Sequence, residues 1–96
     1  MIVGTCKITL HIAANESLKG KRSVIKPLLA RIRQQFNVSA AETADQDAWQ
    51  SAEIGLAAVS SDRQYVDGLL QKAVGWIETS ALDVDIVDYK IEILSV

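Results

Sequence analysis

The 96-residue chain is 49% hydrophobic and 23% charged, with one Pro, five Gly and a formal net charge of −2, a composition that excludes a disordered or collagen-like chain. Its length allows one small core and no second domain, and no apolar run approaches the roughly 18 residues of a membrane span. Met1-Ile2-Val3-Gly4-Thr5-Cys6-Lys7 lacks the charged start and cleavage site of a secretory leader, so the expectation is a cytoplasmic protein, and the single Cys6 reads as a buried thiol without a disulfide partner.

From Ile2 to Ala13 the residues alternate, with Ile2, Cys6, Ile8, Leu10 and Ile12 on one side and Val3, Thr5, Lys7, Thr9 and His11 on the other. This pattern predicts a long strand with one dry face. Between Leu18 and Phe36 the period lengthens, and Leu18, Ile25, Leu28, Leu29, Ile32 and Phe36 fall on a helical stripe. Pro27 leaves the start of that helix open. If the helix is unbroken from Leu18, the proline lies in its interior and removes a backbone bond; if it starts near Ser23, the proline falls in the opening turn. Gly20 favours the later start.

Val38, Ala40 and Glu42 alternate with Ser39, Ala41 and Thr43 as a second strand, and Thr43 to Asp47 connect it to a third. In that third strand Ala52, Ile54, Leu56 and Ala58 are expected to face the core. Ser61-Asp62-Arg63-Gln64 matches a reciprocal capping pattern. The second helix should begin there, with Val66, Leu69, Leu70, Ala73, Val74 and Ile77 as its stripe and Thr79-Ser80-Ala81 as its end. Val87, Tyr89, Ile91 and Ile93, alternating with Asp88, Lys90, Glu92 and Leu94, predict a fourth strand whose first set faces inward.

Two strand–helix–strand units imply an α+β fold, the ferredoxin-like βαββαβ plait, as a single domain over 1–96. Its four-stranded antiparallel sheet would carry both helices on one face. The first and third strands should be central, since they have the best dry faces.

Charge is unevenly spread along this frame. Residues 1–36 hold seven of the ten basic residues against one acid, Glu16, for a net +6, while residues 37–96 hold three against eleven, for −8. Lys19, Lys21, Arg22, Lys26, Arg31 and Arg33 all fall on or beside the first helix. Clustered Lys and Arg attract phosphates with a steep salt dependence, so Lys19, Lys21, Arg22, Lys26 and Arg33 are the candidate nucleic-acid-binding residues. The competing reading is a solvated helix face. A third is head-to-side self-association of the basic and acidic regions.

Ser17-Leu18-Lys19-Gly20-Lys21-Arg22-Ser23-Val24, Phe36-Asn37-Val38-Ser39 with Ala41-Glu42, Asp47-Ala48-Trp49-Gln50, and Gly55 to Asp62 together resemble the YlxP-like family of small bacterial proteins of unknown function. The similarity runs through essentially the whole chain. It implies the ferredoxin-like fold and a family whose genes often lie beside those for translation initiation and ribosome maturation. It implies no catalytic residue.

RNA-recognition domains of this architecture place aromatic residues on the two central strands. Here those positions hold Thr5, Lys7, Thr9, His11, Ser51, Glu53, Gly55 and Ala57, so backbone contact through the basic helix is the expected mode. Trp49 is expected to be a partly buried structural residue, with stacking on a base or capping of a subunit interface as the alternatives. His11, the only histidine, has no nucleophile near it in sequence, and the carboxylates Glu42, Asp45, Asp47 and Asp83, Asp85, Asp88 read as solvated turns. The stretch from Ala14 to Lys19 has no glycine run to cradle a phosphate. No catalytic residue, metal, cofactor or small-molecule substrate is therefore expected. Two readings stand: a translation- or ribosome-associated protein touching RNA phosphates, and a small homo-oligomer packing through the sheet face lined by Val3, Ala57, Val59 and Leu94.

Overall fold

The computed structural model describes residues 1–13, 15–80 and 83–96; Ala14 and Ala81, which fall in the expected loop and helix end, lie outside them. The elements are β1 (Ile2–His11), α1 (Leu18–Gln35), β2 (Ser39–Ala44), β3 (Ser51–Ser60), α2 (Arg63–Ser80) and β4 (Asp85–Ser95). Among the described residues the sheet is antiparallel throughout, in the order β2-β3-β1-β4, so β1 and β3 are central, and the fold is the α+β ferredoxin-like plait expected from the alternation.

The core follows the periodicity. Cys6, Ile8 and Leu10 of β1, and Ala52, Ile54, Leu56 and Ala58 of β3, point to the helix side and are buried with Ile25, Leu28, Leu29 and Ile32 of α1 and Val66, Leu70, Ala73, Val74 and Ile77 of α2. Gly4 continues the β1 inward set because α2 crosses directly over it: a Cβ there would stand 2.2 Å from Val66 Cγ1.

The structure decides one open point and corrects two local expectations. First, α1 begins early. Ser17 is its N-cap, its Oγ accepting from Gly20 N–H at 3.0 Å and its carbonyl from Lys21 N–H at 3.1 Å, and this cap holds an opening turn that Gly20 alone would weaken. Pro27 is therefore interior, on the exposed side, where its ring faces solvent and only one rung of the helix is forfeited. Second, α2 is capped by Asp62 rather than Ser61: Asp62 Oδ1 accepts from Gln64 N–H at 2.9 Å, and Ser60 Oγ accepts from Asp62 N–H at 3.1 Å. Third, the β1–β4 pairing shifts register between Thr9 and Leu10. The shift turns Ile86 inward and leaves Val87 66% exposed, against the simple alternation.

Candidate nucleic-acid interface

The six cations of α1 do not share one environment. Lys19, Arg22 and Lys26 are exposed, and among the described residues they form no ion pair. Their three- and four-residue intervals put them on one flank of the helix, beside the apolar stripe. Arg33, seven residues beyond Lys26, extends the row to a length of about 21 Å at 1.5 Å per residue. Arg31 falls on the opposite flank, beside Pro27 and Trp76.

Lys21 is not part of this row, a correction to the expected site. Its position, three residues after Leu18 and four before Ile25, lies on the apolar stripe itself, and its side chain turns under the helix. It is 2% exposed. Nζ lies 2.9 Å from Glu42 Oε2 and donates to the Asp45 carbonyl at 2.5 Å. Among the described residues Glu42 Oε2 has no other partner, so the ammonium compensates its burial. Glu42 is thus no solvated turn residue: it follows Ala40 on the dry side of β2. Asp45, with φ 62°, adopts the left-handed conformation that a short Asp side chain tolerates, and the turn it makes brings its carbonyl over the ammonium.

Arg33 is exposed yet fastened. Nε and Nη2 both donate to the Ala40 carbonyl, at 3.1 and 2.6 Å, so the guanidinium covers part of the edge of β2, a strand with only one neighbour in the sheet. Between α1 and this edge runs a groove of about 510 Å³ lined by Arg22, Lys26 and Arg33, with Ile25 and Leu29 as its apolar wall and Glu42 at its side. Since Lys21 balances the Glu42 carboxylate, the groove keeps a positive character.

A second set of contacts fixes the end of the row nearest Lys19. Asn15 Nδ2 donates to the carbonyls of Ser17, at 2.9 Å, and Trp49, and Gln50 Nε2 donates to the Asn15 carbonyl at 3.2 Å. These side chains tie the β1–α1 loop to the β2–β3 loop. Trp49 itself is 54% exposed, contrary to the expectation of a partly buried residue, and Asp45 and Asp47 in the same loop give it an acidic setting.

On the open side of the sheet, Lys7 stands opposite Gly55 and Lys90, and Thr9 opposite Glu53 and Asp88; no aromatic side chain of β1 or β3 is present to stack on a base. His11 pairs in register with Ser51 and Asp85, so a hydroxyl does stand beside it, which the linear sequence concealed. A nucleophile relay needs contacts of about 2.6–3.2 Å, and among the described residues no hydrogen bond joins these three. Cys6 is 1% exposed, and burial pushes its thiol up from the ordinary 9.0 to about 11, which suits a packing residue and not a nucleophile.

Comparison with known proteins agrees with this architecture in extent. Residues 3–91 match the family model described as Protein of unknown function (DUF503). Over 74 residues, 77% of this chain and 78% of the relative, the sequence is 44% identical to Uncharacterized protein YlxP of Bacillus subtilis (strain 168). The family match spans the plait from β1 into β4, and with it the basic flank of α1: the chain belongs to the YlxP-like DUF503 family.

Proposed function

We propose that this chain is a non-enzymatic accessory protein of the translation apparatus that holds RNA by its phosphates, through Lys19, Arg22 and Lys26, with Arg33 closing the row. The observation that carries the reading is the unmixed charge of α1. Ordinary solvated helices interleave acids with bases, which supports the helix through pairs three and four residues apart. From Leu18 to Gln35 there is no acid at all, and the one cation that has a carboxylate partner is buried, while the five exposed ones have none among the described residues. Such a flank gains little for folding and suits a polyanion.

The mode is backbone contact. Guanidinium and ammonium groups spaced along about 21 Å of helix meet successive phosphates, and the sheet offers no stacking surface to read bases. Sequence preference should be weak and salt dependence strong.

The test is a titration of ribosomal RNA and of intact ribosomal particles at two salt concentrations. Four phosphate contacts predict a loss of affinity of about 150-fold between 50 and 200 mM salt. Lys19→Glu, Arg22→Glu and Lys26→Glu together should abolish binding, and Lys21→Met with Glu42→Leu, which removes the balanced pair as a whole, should leave it unchanged. Binding that survives the triple reversal, or that ignores salt, would end this reading.

A further inference from the structure

The sheet face turned away from the helices carries a second surface, independent of the basic flank. Val3 stands opposite Val59 on β3 and Leu94 on β4, so three branched aliphatic side chains form one row across three strands, with Val59 57% and Leu94 54% exposed. Beside the row, Gly55, Ala57 and Ala41 carry nothing longer than a methyl group, and the sheet sinks there into a shallow, mainly apolar depression of about 430 Å³. Toward the far end the face turns polar, with Lys7 and Lys90 directly opposed in register and Glu53, Asp88 and Glu92 nearby.

We infer that this face is a two-fold interface with a second copy of the same chain. Three features favour a copy over other occupants. The first is charge. Two lysines against three carboxylates give a nearly neutral, mixed-sign field that offers a polyanion no net attraction and suits itself, because a two-fold axis sets residue i of one copy against residue j of the other. Lys90 already pairs with Glu92 at 3.5 Å, and Lys7, set beside Lys90 in register as a like charge, then gains a carboxylate from the opposing face.

The second feature is area. Four strands at about 4.8 Å spacing and up to ten residues at about 3.4 Å rise present about 600 Å². Two such faces bury about 1,200 Å², the lower end of stable interfaces. The third is relief: the aliphatic row stands proud beside a depression of matching apolar character, so one face carries both halves of a reciprocal fit. In this pairing two sheets stack as a sandwich, and the α1 flanks stay on the outside.

Sedimentation velocity of the full chain tests it, from about 1 to 100 µM protein, at low salt and at about 0.5 M salt, where surface charge is screened. The expected particle has twice the 10.5 kDa mass of the chain and persists in high salt. Val59→Glu with Leu94→Glu should return the monomer at every concentration, and because both side chains are more than half exposed the fold, followed by circular dichroism, should be intact. The triple reversal on α1 should remain dimeric, which separates this proposal from the RNA reading. A wild-type monomer throughout, a dimer that survives the Val59 and Leu94 changes, or a dimer that dissolves in salt, as head-to-side attraction would, overturns the inference.

Discussion

Lys21 Nζ and Glu42 Oε2 stand 2.9 Å apart, with the lysine side chain 3% and the glutamate 23% exposed, so an ion pair largely shut off from water joins α1 to the edge strand β2. Breaking such a pair costs more than the pair itself contributes, because the remaining charge is stranded. The two halves are unequal here. Glu42→Ala leaves an ammonium buried with only the Asp45 carbonyl, and should lower the unfolding free energy by about 3 kcal/mol. Lys21→Met leaves a carboxylate whose side chain is 23% exposed, and should cost less, about 1–2 kcal/mol. Lys21→Met with Glu42→Leu should fall within about 1 kcal/mol of wild type. Urea denaturation measures all three, and equal costs for the two single changes would contradict the burial asymmetry.

Arg33 supplies a different link between the same two elements. Its Nε and Nη2 share the Ala40 carbonyl, a geometry that a lysine cannot reproduce. Arg33→Lys keeps the charge and loses the fork, so it should reduce stability by about 1 kcal/mol and speed amide exchange along β2 while leaving the salt slope of RNA binding unchanged. Arg33→Ala should also flatten that slope. A lysine variant indistinguishable from wild type in exchange would show that the edge does not depend on this contact.

The architecture was legible because alternation and helical spacing each leave a mark in the order of residues: Ile8 and Ile54 are inward by period two, Ile25 and Ile32 by period 3.6. The site was legible only in part. By its type Lys21 reads as a surface cation, although its spacing from Leu18 and Ile25 puts it on the dry stripe, and Glu42 alternates with Ala40 on the dry side of β2. Combining the two periods would have found the pair. The fork from Arg33 to Ala40 O, the left-handed Asp45 and the row of Ser51, His11 and Asp85 depend on strand register. Register is set by the β2–β3 turn and by the shift at Thr9/Leu10, which no local pattern announces.

Glycines at four positions should respond to a methyl group with opposite signs. At Gly4 the added Cβ meets Val66 Cγ1 at 2.2 Å and Leu70 Cδ1 at 2.9 Å, side chains that are themselves fully buried, so Gly4→Ala should push α2 off the sheet and cost about 1–3 kcal/mol. Gly20→Ala meets Asn15 Oδ1 at 2.3 Å; the loop clasp must give, and the helix start should fray. Gly68 and Gly75 lie within α2 with nothing inside 4 Å of the added atom. Gly68→Ala and Gly75→Ala should each stabilise by about 0.5–1 kcal/mol through helix propensity alone. Thermal melts of the four variants decide it, and a gain at Gly4 would mean that the β1–α2 contact is looser than these distances.

Cys6 makes stability depend on alkaline pH. Its folded thiol ionises near 11, whereas the unfolded chain releases the proton near 9.0. Between these values the unfolded state binds fewer protons than the native one, so stability falls as pH rises. The contribution is intact below pH 9, and about 2–3 kcal/mol is lost by pH 11. Cys6→Ala should start lower, because a small cavity opens, yet decline less steeply over the same interval. Alkylation provides the matching kinetic check: at pH 8 the native thiol should react with iodoacetamide far more slowly than the urea-unfolded chain, since both the thiolate fraction and access are reduced. Equal rates in the two states would show that the strand opens readily around Cys6, and the pH slope should then vanish as well.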